Sequence, residues 1–81
     1  MVNSVYTPRY RFLLKTLVEA RKSKKLSQAK LAEKLGRVQT FVSKYERGER
    51  RLDLVEFVEV AIALNIDAIK VIRKLMAIGH E

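Results

Sequence analysis

The chain has no cysteine and no tryptophan among its 81 residues, and it has only one proline, three glycines and one histidine. The absence of cysteine excludes a disulfide framework, a thiolate metal site and a thiol nucleophile. So few prolines and glycines leave room for little besides helices and short loops. No apolar run approaches the roughly 20 residues of a membrane span, and residues 1–10 lack the basic-then-apolar layout of a signal peptide. We therefore expect a cytoplasmic protein that needs no metal or cofactor.

Positive charge, by contrast, is abundant and is concentrated in one part of the chain. Seventeen Lys and Arg residues outnumber nine Asp and Glu residues, which gives a net charge of +8. Residues 1–51 carry fourteen of the basic and four of the acidic side chains, whereas residues 52–81 carry three and five. A charge that only maintains solubility would be spread evenly, so this distribution favours a protein that binds a polyanion. A polybasic membrane patch is the competing interpretation, but the amphipathic helix with exposed aromatic residues that accompanies one is missing.

Residues 27–48, SQAKLAEKLGRVQTFVSKYERG, have the pattern of two short helices joined by a tight turn. Each helix has apolar residues at helical spacing, namely Leu31, Ala32 and Leu35 in the first and Val42 and Tyr45 in the second. Gly36 and Gly48 follow the two helices, where the left-handed conformation that ends a helix favours glycine. Ala32 is small enough for the second helix to cross close above the first.

The outer side of the second helix carries hydrogen-bond donors and acceptors, namely Gln39, Thr40, Ser43, Lys44 and Arg47. No carboxylate, which would repel a phosphate backbone, occurs in this helix before Glu46. This pattern predicts a helix-turn-helix whose second helix lies in a DNA major groove. The alternative is an ordinary helical hairpin with a solvated polar face. The small residue, the turn glycine and the basic chain together favour the helix-turn-helix.

Five helices are predicted in a single domain of residues 1–81, at about 8–24, 28–35, 38–46, 54–64 and 68–78, after a short arm at 1–7. Four of them begin after a residue that caps a helix N-terminus well, namely Thr7, Ser27, Asp53 and Asp67. The third lacks such a cap, because Val38 occupies that place. The fold class is therefore all-α, a compact five-helix bundle.

The last two helices have wide apolar surfaces. In the helix at 54–64, apolar residues cover more than half of the circumference, which predicts a central buried helix with Glu56 and Glu59 in a narrow exposed strip. In the helix at 68–78 they span about 180°, whereas closing a bundle takes about 100°. The surplus predicts a partner surface, most simply for a second copy of the chain, formed by Val71, Ile72, Leu75 and Ile78. Alternatively, this helix wraps its apolar side around the chain's own core.

The stretch from Ser27 to Gly48, followed by two arginines and an apolar helix, closely resembles the helix-turn-helix domains of the Cro/repressor type, the XRE family. The strongest matches, within about residues 10–68, are Ser27-Gln28, Leu31-Ala32, Leu35-Gly36, Gln39, Val42-Ser43-Lys44 and Glu46-Arg47-Gly48. The resemblance implies a lambda-repressor-like domain that binds double-stranded DNA as a homodimer on a palindromic operator and regulates transcription, as a repressor. Two positions depart from the pattern. Val38 replaces a small polar residue, and Tyr45 replaces an aliphatic one, so the Tyr45 hydroxyl must find a partner or reach the surface.

The resemblance also implies which side chains meet DNA. The base-contacting set, at the recognition helix of residues 38–46, is Val38, Gln39, Thr40, Ser43 and Lys44. Gln28 and Arg47 would contact phosphate groups. Charge and position add further phosphate candidates, namely Arg50, Arg51, Arg37, Arg21, Lys22 and Lys24.

Other functions fit the sequence less well. The main alternative is an antitoxin or coactivator-like module that binds a protein partner, because the wide apolar arc at 68–78 fits that function too. RNA binding lacks its usual aromatic stacking platform. An enzyme is not expected, because the acidic residues are scattered, no glycine loop resembles a phosphate cradle, and the one histidine, His80, lies next to the terminus.

Overall fold

The computed structural model describes residues 7–79, which form five α-helices and, within that range, no strand. The helices are α1 (Pro8–Ser23), α2 (Gln28–Leu35), α3 (Gln39–Glu46), α4 (Leu54–Leu64) and α5 (Ala68–Ala77). The predicted all-α, five-helix fold is confirmed, and each predicted boundary lies within one residue of the observed one. His80 and most of the expected arm, residues 1–6, lie outside the described residues. Among residues 7–79, no helix is long and apolar enough to cross a membrane.

Side-chain hydrogen bonds explain where most helices begin. Four helices follow a side chain that accepts a hydrogen bond from the backbone N–H three residues on, at Thr7, Ser27, Asp53 and Asp67. Each bond satisfies one of the free N–H groups of a first turn. α3 is the exception, since Val38 makes no such bond. Gly36 and Asn65 end α2 and α4 in the left-handed conformation, with φ of 69° and 57°.

One core joins all five helices. Its fully covered larger side chains are Leu17 of α1, Leu31 of α2, Val42 and Tyr45 of α3, and Val60 and Leu64 of α4. α2 packs against α3 and α4, and α5 packs against α1 and α4. Burying a side chain of this size contributes about 1.5–3 kcal/mol. The core therefore fixes one side of α3 and leaves the other side at the surface.

α4 is oriented differently from the prediction. Glu56 is buried, with 7% of its surface exposed, whereas the exposed apolar residues include Leu54, Val55, Val58 and Ile62. The Glu56 carboxylate accepts a hydrogen bond from the Asp53 backbone N–H at 3.0 Å, which completes a capping box at the start of α4. The expectation of a buried helix with Glu56 in the exposed strip is therefore wrong. A count of apolar positions does not tell which side of a helix meets the core.

α5 uses much of its apolar arc within the chain. Val71 is buried, and Ile72 and Leu75 are half-buried against the core. Arg9 of α1 donates hydrogen bonds to the carbonyl oxygens of Leu75, at 2.9 Å, and of Ile78, at 2.8 Å. Val71 is thus unavailable to a second copy, which corrects its place in the expected interface. For these residues, the alternative that α5 wraps around the chain's own core is the better description.

Candidate nucleic-acid interface

α2, the turn at Gly36 and α3 have the geometry of the predicted helix-turn-helix. Leu31 and Ala32 form the buried side of α2, and α2 packs against α3. The buried side of α3 consists of Phe41, Val42 and Tyr45. Because three side chains on one side of a two-turn helix are held in the core, the rotation of α3 about its own axis is fixed.

The opposite side of α3 is exposed and mostly polar. Gln39, Thr40 and Lys44 are exposed. Ser43 is half-buried, and its Oγ donates a hydrogen bond to the Thr40 carbonyl oxygen at 3.3 Å. Val38, directly before α3, is 71% exposed. The structure therefore brings the five expected base-contacting residues to one surface, where amide, hydroxyl, ammonium and apolar groups are presented together.

A buried ion pair connects the end of α1 with the end of α3. Arg21 donates hydrogen bonds to the Glu46 carboxylate from Nε at 2.7 Å and from Nη2 at 3.1 Å. Its Nη1 donates to the Leu26 carbonyl oxygen at 2.8 Å. The hydrogen bond to Glu46 raises the pKa of Arg21 above its ordinary value. The expectation that Arg21 contacts phosphate is wrong, because its guanidinium is buried and bonded inside the domain.

Gln28, the first residue of α2, shares the same carboxylate. Its Nε2 donates to Glu46 Oε1 at 2.9 Å, so Glu46 holds in place a side chain that is expected to contact phosphate. The sequence reasoning gave Glu46 no such role. The available signal was its position at a helix C-terminus, where the helix dipole disfavours a carboxylate unless a cation compensates it.

A second buried carboxylate, Glu56, gathers two arginines beside α3. Arg50 donates to it from Nη1 and Nη2 at 2.8 and 2.7 Å, and Arg37 Nη1 lies 3.5 Å from it. The guanidinium carbons of Arg37 and Arg50 also lie over the Phe41 ring, 4.4 and 4.9 Å from its centroid. The hydrogen bonds from Arg50 hold the pKa of Glu56 down at about 2. We call Arg37, Phe41, Arg50 and Glu56 the arginine cluster.

Sequence reasoning also missed the role of Glu56. Its signal was the spacing of three residues from Asp53, which is the spacing of a capping box. A carboxylate at that position bends back toward the residue before the helix. In this chain that residue is Asp53, two positions after the basic pair Arg50 and Arg51. Glu46 and Glu56 together therefore bind four of the eight side chains expected to contact phosphate, and one of the four, Arg21, is buried.

The other expected phosphate contacts lie at the surface. Arg47 donates to the Glu49 carboxylate from Nε and Nη2, at 2.9 and 3.0 Å, and these bonds lower the pKa of Glu49. An exposed pair of this kind is weak in water and exchanges partners readily. The Arg51 guanidinium lies 4.5 Å from the centroid of the Tyr10 ring. The remaining cations of the set are exposed, namely Arg51, Lys22 and Lys24.

The Tyr45 side chain is completely covered by the core, with 0% of its surface exposed. Within residues 7–79, its hydroxyl has no hydrogen-bond partner. The expectation that this hydroxyl finds a partner or reaches the surface is therefore wrong. Burial raises the pKa of the Tyr45 hydroxyl above its usual range.

Replacing Tyr45 with phenylalanine is expected to raise the free energy of unfolding by about 1 kcal/mol, because it removes a buried polar group without a partner. The gain should grow above about pH 10, where an unfolded tyrosine loses its proton. The folded Tyr45 keeps its proton there, so alkaline pH favours the unfolded wild-type chain. Urea unfolding of both proteins at neutral and alkaline pH measures the difference. A less stable variant would mean that the hydroxyl is satisfied.

Comparisons with known proteins agree with this geometry. A protein-family model described as "Helix-turn-helix" matches residues 17–71. A solved structure, "XRE-family like protein from Pseudomonas syringae pv. tomato str. DC3000", is similar to this chain with a TM-score of 0.84 and 42% sequence identity, over 91% of this chain and 90% of that chain. No curated protein matches the chain. The matched residues include α2, the turn and α3.

Proposed function

This chain belongs to the XRE family of helix-turn-helix DNA-binding transcription regulators, and from that premise we propose that it represses transcription as a homodimer on a two-fold symmetric operator. A domain bound to an operator that overlaps a promoter would exclude RNA polymerase by its volume, so repression would need no further activity. The family fold points to a regulator rather than an enzyme. We place this activity in the cytoplasm.

The two-sided surface of α3 carries the proposal. Its apolar side is buried, and its exposed side presents Gln39, five residues before Lys44. A glutamine amide pairs with the two groups that adenine presents in the major groove, and a lysine pairs with the two acceptors of guanine. We therefore assign base reading to Gln39 and Lys44, with Val38, Thr40 and Ser43 against the neighbouring bases.

We assign phosphate contacts to the donors that surround α3 at the surface. Gln28 lies at the N-terminus of α2, where free backbone N–H groups attract an anion. The cations of the set are Arg37, Arg47, Arg50, Arg51, Lys22 and Lys24, without Arg21. Each phosphate that a cation neutralises releases counterions, so each adds about one unit to the dependence of affinity on salt.

The homodimer is supported by apolar side chains that the monomer leaves exposed. On α4, Val55, Val58 and Ile62 follow helical spacing and share one side. On α5, Ile69 and Met76 are seven residues apart and both are exposed. Because α4 and α5 pack against each other, we infer that these two stripes, which we call the α4–α5 face, bind a second copy.

Charge on the same helices fits a two-fold arrangement. α4 presents the exposed acid Glu59, which also lies 3.8 Å from Arg37 within the chain, whereas α5 presents the exposed bases Lys70 and Arg73. In an isologous dimer each surface meets its own copy, so an acidic helix beside a basic one is self-complementary. The other interface residues expected from sequence, Ile72, Leu75 and Ile78, are half-buried within the chain.

Replacing Gln39 with alanine is expected to relax the preference for one base position by about 1–3 kcal/mol, because the variant loses one bidentate base contact. Affinity for unrelated duplexes should barely change. Lys24→Gln is the matched control, since it should weaken binding to all duplexes alike and lower the salt dependence by about one unit. Fluorescence anisotropy with operator and mixed-sequence duplexes measures both. If Gln39→Ala weakened both duplexes equally, Gln39 would be a backbone contact.

Selection of bound duplexes from a random pool tests the proposed function as a whole. We expect a two-fold symmetric consensus with half-sites about one helical turn apart. Salt-dependent binding without any consensus would instead favour the protein-interaction alternative, in which DNA binding is secondary. Absence of binding to any duplex at moderate salt would contradict the proposal.

A further inference from the structure

Two arginines from opposite ends of the recognition region meet in the arginine cluster. Arg37 belongs to the turn before α3, and Arg50 belongs to the loop after it. In sequence they are separated by the whole of α3, yet both guanidinium groups lie over the Phe41 ring, at 4.4 and 4.9 Å from its centroid. Phe41 lies three residues before Lys44, so the ring and the lysine are neighbours along α3.

The buried carboxylate of Glu56 is the group that both arginines share. Arg50 makes two hydrogen bonds to it. Arg37 Nη1 lies 3.5 Å from it, and Arg37 Nη2 lies 3.8 Å from the exposed Glu59 carboxylate. Glu56 is itself held by the Asp53 backbone N–H. Its side chain is 9% exposed, compared with 37% for Arg37 and 41% for Arg50. The carboxylate is therefore inside the domain, while the cations that it holds reach the surface.

The Arg50 guanidinium keeps donors for a further partner. A guanidinium carries five N–H groups in a planar fork, and two of the groups on Arg50 are used by Glu56 and a third by the Arg51 carbonyl oxygen. An arginine that is already ordered loses less rotamer freedom when it binds a phosphate. Stacking on Phe41 adds to that order.

We infer that Glu56 is a positioning residue for DNA binding, which holds Arg37 and Arg50 beside α3 so that both meet the phosphate backbone without further ordering. This inference rests on the proposed DNA-binding function. Glu56 itself touches no DNA. Its carboxylate strengthens binding to DNA because it orders Arg37 and Arg50, although its own negative charge repels the phosphate groups.

The test depends on whether removing the Glu56 charge raises or lowers affinity for DNA. Glu56→Gln removes one negative charge from beneath the DNA-binding surface, and simple electrostatics predicts tighter binding. We expect instead that affinity for the selected duplex falls about 10-fold and that the salt dependence falls by one to two units, because two phosphate contacts lose their order. Glu33→Gln is the matched control. It makes the same charge change on α2, where Glu33 is exposed and pairs with Lys30, so its affinity should be equal to or higher than that of the wild type.

Two further variants test whether Glu56 acts by positioning Arg37 and Arg50 or by stabilising the fold. Arg50→Lys keeps the charge but cannot form the planar bidentate pair, so it should also lower affinity. In a chain that already carries Arg37→Gln and Arg50→Gln, adding Glu56→Gln should change affinity less than twofold. Circular dichroism confirms that each variant is folded at the temperature of the binding measurement.

The outcomes distinguish this inference from the proposed function. If the wild type binds DNA and Glu56→Gln binds as tightly or more tightly, the inference is overturned and the proposed function stands. The inference is likewise overturned if Glu56→Gln weakens binding by the same factor with and without the two arginines. If the wild type binds no duplex, the proposed function is contradicted, and the inference that rests on it is contradicted too.

Discussion

Arg21→Met is expected to lower the free energy of unfolding by about 3–5 kcal/mol, the usual effect of leaving one partner of a buried ion pair uncompensated. In the wild type, Arg21 neutralises Glu46 and also satisfies the Leu26 carbonyl oxygen. Without the guanidinium, the carboxylate remains nearly covered and keeps the hydrogen bond from Gln28 but no compensating cation from Arg21. A loss of this size is a large part of the stability of a small domain.

Chemical denaturation of the wild type and three variants tests this expectation. Lys22→Met is the matched control, because it removes an exposed cation from the next position and should change stability by less than about 0.5 kcal/mol. The double variant Arg21→Met/Glu46→Met should recover most of the loss, because apolar groups replace both charges. If Arg21→Met were no less stable than Lys22→Met, the pair would be open to water in solution.

Ile62→Glu is expected to lower operator affinity by about 100-fold, because it places a charge in the α4–α5 face and separates the two copies. Two recognition helices that bind as one unit gain affinity over a single helix by a factor on the order of 10² or more. Ile62 is 72% exposed within the chain, so the substitution leaves the core and the fold intact. Affinity for a single half-site should stay the same.

Sedimentation at several concentrations and binding to full and half operators measure this effect. Lys15→Gln is the matched control, since it lowers the net charge by the same one unit on the exposed side of α1 and should leave the dimer unchanged. A wild-type protein that is monomeric at high micromolar concentration and still binds the operator tightly would contradict the dimer proposal.

Local signals were sufficient to predict the helices and the polar side of α3. Ser27 caps α2, Gly36 ends it with a positive φ, and apolar residues at helical spacing mark the side of α3 that is buried. Each of these signals acts within a few residues. A local signal also predicts that α3 begins without a side-chain cap, because the valine side chain at position 38 cannot accept a hydrogen bond.

The two buried carboxylates could not be predicted in this way. Glu46 is paired with a residue 25 positions earlier, and nothing in a helical wheel shows that a distant arginine will compensate a charge. A wheel places any acid at the surface, which is wrong for Glu56. The orientation of α4 could not be predicted either, because its apolar residues occur on nearly all sides, and contacts with three other helices decide which of them are covered.

The hydrogen bonds from Arg9 to the last carbonyl groups of α5 join positions 66 and 69 residues apart. Bringing groups so distant along the chain together costs conformational entropy, which the packing of the intervening helices must offset. The first turn of α1 supplies donors to the C-terminus of α5, and the two helices pack against each other. Shortening the chain at one end would therefore weaken the other, and the domain should unfold as a single cooperative unit rather than helix by helix.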